Sequence, residues 1–334
     1  MIDIGFKGGD YIQDIIDGTE RKFGSVNAAS STEVAMFGNA NLMDYVDNLE
    51  SQNLSGFDNW SCVTYVVLKS VAAIFNYKIK NKIFSDHKIQ WLKDNGYVKQ
   101  NADGEWRVNF SERFNSVLSG TIPRQGNSGR NVANSVRHDG AIPQEMLDFT
   151  RFTTEDEFYN RDSITQEMID LGLEFASMFD VSYEWYNPND EEAANYYLQF
   201  SLGVWFIACG CPWVENIQQR CLLVANHSVG GREQRIHEDV LGDTYARIQS
   251  DGSYKNIRRV AKDFKYHSFG LAMFVTELNN NDDDMIFIQE EGDKNIYLDT
   301  GDGTKQMIAD MPTKEALEGK RGNGTLVWVD RIID

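Results

Sequence analysis

The stretch Ser55-Gly56-Phe57-Asp58-Asn59-Trp60-Ser61-Cys62-Val63-Thr64-Tyr65 divides a polar, glycine-bearing loop from an apolar run. From Cys62 onward, Val63, Val66, Val67, Val71 and Ile74 recur at helical spacing, so Cys62–Tyr77 is expected to be a largely buried helix. A cysteine in the first turn of such a helix has a chemical advantage. Backbone N–H groups without helical partners and the positive end of the helix dipole favour the thiolate, which is the nucleophilic form. The competing reading is a small core residue, the commoner fate of a buried cysteine.

A thiolate nucleophile requires a base. Leu222-Leu223-Val224-Ala225-Asn226-His227-Ser228-Val229 sets a histidine inside an apolar strand, where an imidazole is held in fixed orientation. The bland alternative is a core histidine with both nitrogens satisfied. Further on, Leu241-Gly242-Asp243-Thr244-Tyr245 offers a carboxylate that the next strand can bring beside His227. A carboxylate accepting the Nδ1–H sets the tautomer and stabilises imidazolium. Cys62, His227 and Asp243 are therefore the candidate catalytic set.

Around this set, Ser85 is a good N-cap for a helix to Asn95, closed by Gly96. Tyr97–Val108 reads as a hairpin turning at Asp103-Gly104. Ser111–Ser119 and Gly129–Asp139 are shorter helices, and Ser163-x-x-Gln166 is a capping box opening an amphipathic helix to about Phe179. After Asn187-Pro188 strands are expected at Leu198–Cys209, Cys221–Val229, Gln234–Val240, Tyr245–Gln249 and Leu271–Leu278. The acidic run Asn279–Asp284 marks a boundary. Beyond it short strands are expected at Ile286–Ile288, Asn295–Leu298, Lys305–Ile308 and Leu326–Val329, with a helix starting near Thr313. Helices first and strands second imply an α+β fold with segregated layers. The expected order is an N-terminal arm (1–50), a helical lobe (51–185), a β-rich lobe (186–278) and a small α+β appendage (279–334).

Composition narrows the function. The 334 residues carry 51 acidic against 32 basic side chains, a net charge of −19, which opposes binding to nucleic acid or an anionic membrane surface. The first residues lack a basic segment followed by an apolar core, so no secretory signal is expected. Within the long uncharged stretch Ala193–Val214, Leu198–Val204 alternates with period two, and Gln199, Gly210 and Pro212 suit lipid poorly, which favours a strand over a membrane span. Cys209-x-Cys211 has the wrong spacing for a zinc knuckle. His237 beside Glu238 and Asp239, the flanked His87 and His138, and the lone His267 form no ligand set. Asp282–Asp284 and Asp299-x-x-Asp302 lack the EF-hand pattern. Neither a metal nor a cofactor is expected.

The order of Cys62-Val-Thr-Tyr, then Asn226-His227-Ser228-Val229, then Asp243-Thr244-Tyr245 resembles the papain-like cysteine peptidases, over about residues 52–278. Gly126-Asn127-Ser128-Gly129, followed by Val132, Ala133, Val136, Arg137, Gly140, Ala141, Ile142 and Pro143, is similar to that family's glycine-bearing cleft wall and the helix after it. The resemblance implies a two-lobe fold with a cleft between helical and β lobes. It implies hydrolysis of peptide bonds through a Cys62–His227–Asp243 triad, with Gly126 and Gly129 admitting the substrate backbone. The family's oxyanion-hole glutamine lies six residues before the nucleophile, where this chain has Gly56. Gln52, Asn53 and Asn59 are the nearby amides, and the Cys62 N–H would be the other donor.

Asn109-Phe110-Ser111-Glu112-Arg113-Phe114 through Thr121, and Asn295-Ile-Tyr-Leu with Lys305 and Ile308, resemble peptidase-like proteins of bacteriophage particles. That implies synthesis in a host cytoplasm, residence in a virion, and other virion proteins as partners beside a peptide or protein substrate. It also carries an alternative, a catalytically weak or inactive papain-like structural protein of a tail or baseplate.

Overall fold

The computed structural model describes residues 42–46, 57–101, 104–207, 227–231, 236–238, 257–259, 266, 268–278, 286–288, 295–299 and 305–310. The chain divides into two compact units, Met1–Glu277 and Leu278–Asp334. Of the arm expected over 1–50, a 3-10 turn at Leu42–Tyr45 is described.

The first unit is organised by helix α1, Cys62–Lys80. All of its residues except Tyr77 and Lys80 are buried, as the nearly unbroken apolar sequence requires of a helix enclosed on every side. Several of its buried polar side chains are matched. Lys69 Nζ donates to Asn109 Oδ1 at 2.8 Å and lies 3.5 Å from the carboxylate of Glu112. Asn76 Nδ2 donates to the Tyr45 carbonyl at 2.8 Å, and its Oδ1 accepts from Val108 N at 2.6 Å.

Five further elements follow the expected order. Helix α2 is Asp86–Asp94, capped by Ser85, whose side chain accepts from Lys88 N, and followed by Gly96 at φ 77°. Strands β1 (Val98–Gln100) and β2 (Trp106–Val108) pair antiparallel as the expected hairpin. Helix α3 is Glu112–Leu118 with Ser111 as cap, and α4 is Gly129–His138 with Ser128 as cap. A sixth element, helix α5 (Glu155–Tyr159), is a short segment capped by Thr154 where no helix was expected.

Helix α6 runs from Gln166 to Met178, and its cap is Thr165, not the expected Ser163. Ser163 is diverted: its hydroxyl accepts from the Arg113 guanidinium at 2.5 Å and donates to the Asn160 carbonyl at 2.7 Å. Strand β3, Phe179–Tyr186, begins where α6 ends and lies within the segment expected to be helical. Helix α7, Glu191–Tyr197, takes up the start of the long uncharged stretch and ends just before the strand expected at Leu198–Cys209; of that strand's described residues, Gly203–Ile207 are extended, as β4. The long uncharged stretch is thus broken into a helix and a strand.

A four-stranded antiparallel sheet lies beside α1, in the order β3-β8-β4-β5, where β5 is His227–Gly231 and β8 is Gly270–Glu277. Its register pairs Phe179 with Glu277, Val204 with Leu271, and Ile207 with His227. Strands β6 (Ile236–Glu238) and β7 (Ile257–Arg259) form a separate antiparallel pair. The core is continuous from Val63, Val66 and Val67 of α1 to Val204, Leu271 and Met273 of the sheet. Helix α4 is pressed against α6: a Cβ on Gly140, at φ 74°, would lie 1.7 Å from the Gly172 carbonyl oxygen.

In the second unit, β9 (Ile286–Ile288), β10 (Asn295–Asp299) and β11 (Lys305–Asp310) form an antiparallel sheet in the order β11-β10-β9, with a bulge at Ile296/Tyr297. The strands expected at Tyr245–Gln249 and Leu326–Val329, and the helix near Thr313, lie outside the described residues.

Candidate active site

Cys62 is the first residue of α1, as the sequence requires of a helix-start thiol, and it is 0% exposed. The turn before it is bound on every side. Trp60 takes a left-handed φ of 56°, a conformation that costs a bulky residue about 1–2 kcal/mol unless its surroundings enforce it. Here they do. Trp60 N donates to Asp58 Oδ1 at 2.9 Å, and Ser61 N donates to Asn59 Oδ1 at 3.2 Å. Ser61 Oγ donates to the Asn59 carbonyl at 3.0 Å, and Asn59 Nδ2 donates to Tyr65 Oη at 3.0 Å. The Tyr159 hydroxyl also donates to the Asn59 carbonyl and lies 3.2 Å from Ser61 Oγ. Burial is the main cause that pushes the Tyr159 phenol far above its ordinary range, so it stays protonated and able to donate.

This turn leaves the start of α1 uncapped. Among the seven described α-helices, α1 alone has an N-cap residue whose side chain makes no capping hydrogen bond. Ser61 sits at φ −104°, ψ 24° rather than in the extended conformation a capping serine adopts, because its hydroxyl is turned back to Asn59. The positive end of the α1 dipole therefore meets Cys62 with no side-chain cap from Ser61.

The sheet sets the direction of the histidine strand. Ser70 Oγ lies 3.0 Å from Ser201 Oγ and donates to the Leu202 carbonyl at 3.2 Å, while Met273 N donates to Ser201 Oγ at 2.9 Å. Two turns later on α1, Lys78 Nζ donates to the Val275 carbonyl. Strand β8 thus advances alongside α1 in the same sense, and its antiparallel neighbour β4 runs back toward the start of the helix. From Leu202 to Ile207 the strand covers about 17 Å, and from Ser70 back to Cys62 the helix covers about 12 Å. Ile207 pairs with His227, and β5 packs on α1. The backbone of His227 is thereby carried toward the Cys62 end of the helix.

The remaining expected residues fall differently. Asp243, Gln52 and Asn53 lie outside the described residues, as do Cys209, Cys211 and Cys221. Asn59 is described and 0% exposed, with both ends of its amide holding the turn rather than facing a substrate. Gly129 is tight for a reason other than substrate approach: a Cβ there would meet Leu271 Cδ1 at 2.7 Å and Phe206 Cζ at 2.8 Å, so its lack of a side chain lets α4 seat on the sheet. Gly126 is buried and takes φ 69°, closing a turn through Gly126 N to the Ile122 carbonyl at 2.8 Å.

Two groups were not legible in advance. Ser61 and Tyr159 carry no motif, although Ser61 stands beside the cysteine in the quoted stretch. Tyr159 is fixed by Arg113, which is fully buried, donates to the carbonyls of Glu157 at 3.1 Å and Asn160 at 2.8 Å, and stacks 4.0 Å from the Phe152 ring. Burial lowers the Arg113 pKa to about 10, which still leaves it charged at neutral pH.

No protein-family model matches the chain, and no curated protein matches it. Among solved structures it is similar to the bromelain protease from Ananas comosus in complex with the E64 inhibitor, at 12% identity and TM-score 0.42, covering 70% of this chain and 97% of that one. It is similar to the Amb a 11 cysteine protease, a ragweed pollen allergen in its proform, at 12% identity and TM-score 0.42, covering 79% and 73%. It is also similar to the Carica candamarcensis cysteine protease CMS1MS2, at 11% identity and TM-score 0.40, covering 72% and 98%. The chain is a mixed helix-and-sheet protein whose structural neighbours are papain-like cysteine proteases at low identity.

Proposed function

We propose that the chain is a thiol hydrolase of peptide bonds, built on a papain-like two-lobe plan, with Cys62 as nucleophile, His227 as base and Asp243 orienting His227. The observation that carries the reading is the opposed run of α1 and β4: it brings the histidine strand toward an uncapped helix start that bears a cysteine. His227 takes the thiol proton, and the Cys62 sulfur attacks the carbonyl carbon of the scissile bond. The Cys62 N–H stabilises the oxyanion, aided by the positive end of the α1 dipole. Imidazolium returns the proton to the leaving amine as the C–N bond breaks, and water then cleaves the thioester, regenerating the thiol. Neither a metal nor a cofactor enters this chemistry.

The test uses fluorescein-labelled casein and the thiol probe E-64. Wild-type chain cleaves casein, E-64 modifies Cys62, and Cys62→Ala lowers cleavage at least about a thousandfold without changing the thermal transition. Full cleavage by Cys62→Ala overturns the mechanism.

A second reading has its own support. Cys62 is 0% exposed and the Asn59 amide is turned inward, both of which suit a papain-like scaffold retained as a structural component, here of a bacteriophage particle, with virion proteins as its partners. Wild-type chain that cleaves no casein and leaves Cys62 unmodified by E-64, while other cysteines react, supports this reading against the first.

A further inference from the structure

Tyr159 lies 97 positions from Cys62 in sequence, yet its hydroxyl reaches the turn that presents the thiol. The Asn59 carbonyl collects two hydroxyl donors, from Ser61 and Tyr159, while the Asn59 side chain receives the Ser61 N–H and donates to Tyr65. The left-handed Trp60 sits inside this closed set of bonds. Such a conformation persists only where its neighbours over-determine it. The rotations at Trp60 and Ser61 orient the Ser61–Cys62 peptide, and with it the Cys62 N–H and the exit of the side chain. Ser61 is drawn away from capping by the same bonds, so the hydroxyl pair both shapes the turn and leaves α1 without a side-chain N-cap.

The distal end of the arrangement is anchored as firmly. Arg113 donates to the carbonyls of residues 157 and 160, bracketing Tyr159, and to the Ser163 hydroxyl. The Tyr159 ring meets Phe158 edge-on at 4.9 Å between centroids. The tyrosine is thus delivered by a rigid segment, not by a side chain free to choose its partner.

We propose that Tyr159 is a positioning residue for the nucleophile: its hydroxyl, acting through Asn59 and Ser61, holds the Trp60 turn that aims the Cys62 thiol and N–H. This rests on Cys62 being the nucleophile. Persistent protonation of the buried phenol keeps the donor in place across the working pH range.

The test is Tyr159→Phe, which keeps the ring and removes one oxygen. Expected results are a fall in kcat on fluorescein-labelled casein of about tenfold to a hundredfold with KM within twofold, and a matching fall in the rate of E-64 modification of Cys62. A purely structural role would lower the thermal transition and leave kcat of the folded fraction unchanged. The double variant Ser61→Ala with Tyr159→Phe is expected to be no slower than the slower single variant, because both act on one turn. If E-64 still labels Cys62 in Tyr159→Phe at the wild-type rate with kcat unchanged, the positioning role is overturned and the nucleophile stands. If Cys62→Ala retains full cleavage, the nucleophile falls, and the positioning role falls with it.

Discussion

Ser61 and Ser128 occupy the same position at the head of two buried helices and are used in opposite ways. Ser128 adopts extended backbone at φ −107°, ψ 155° and accepts from Asn131 N at 3.1 Å, closing the start of α4. Ser61 gives its hydroxyl to Asn59, leaves α1 uncapped, and is followed by the one described cysteine. Both helices abut the sheet, so packing alone does not separate them. The difference lies in the capping hydroxyl: at α4 it accepts from a backbone N–H of the helix, and at α1 it is turned back to the preceding turn. Helix α4 is tied for stability at both ends, by Ser128 at its start and Gly140 just past its end. Helix α1 is held through its flanks and begins without a side-chain cap.

This contrast breaks or sharpens under substitution. The largest effect on stability is expected at Gly140→Ala, where a left-handed φ and a methyl aimed at the Gly172 carbonyl together cost about 3 kcal/mol, read as a lowered urea midpoint. Next comes Ser128→Ala, which loses a true cap and costs about 1 kcal/mol while casein cleavage per folded molecule is unchanged. Ser61→Ala is expected to invert that pattern, with a smaller stability loss and a clear fall in E-64 reactivity. Equal stability losses at the two serines, with equal activities, would erase the distinction.

The smallest effect is one of pH. Partial burial, with Arg137 adding to it, lowers the pKa of His138 at the end of α4 below its ordinary 6.5. The unfolded chain then binds the proton more readily than the folded one, so stability falls as pH drops below about 6.5. His138→Gln is expected to flatten the urea midpoint between pH 7.5 and 5.5 relative to wild type, and an unchanged slope would remove His138 from the account.

The legible parts of the fold were those written in local chemistry. Ser85, Ser111 and Ser128 announce helix starts because their capping bonds span three residues, and Gly96 and Gly104 mark positive φ. Strand β3 was legible but not read: Phe179, Val181, Tyr183 and Trp185 alternate with Asp180, Ser182 and Glu184, yet the segment directly continues a helix and its polar positions Ser182 and Glu184 are themselves buried. Glu184 is accommodated by the Tyr197 hydroxyl at 2.6 Å, a bond to a helix whose place no local pattern fixes. Ser163 misled for the converse reason: its sequence satisfies a capping box, but Arg113, fifty positions away, takes the hydroxyl. At the site, Cys62 and the strand bearing His227 were readable from residue type and apolar context. Tyr159 was not, since its importance arises from where α5 is docked and not from its neighbours in sequence.

Helix α6 ends at Met178 and strand β3 starts at Phe179, with no connecting residue between them. That seam has no slack. An extra amino acid there would either send every β3 side chain to the opposite face or slide the strand along its partner β8. A foreign segment grafted between β1 and β2 disturbs one small hairpin, whereas the same graft at 178/179 would scramble the whole sheet and with it the strand that carries the histidine. Anyone splitting, permuting or tagging this chain should treat that single peptide bond as uncuttable.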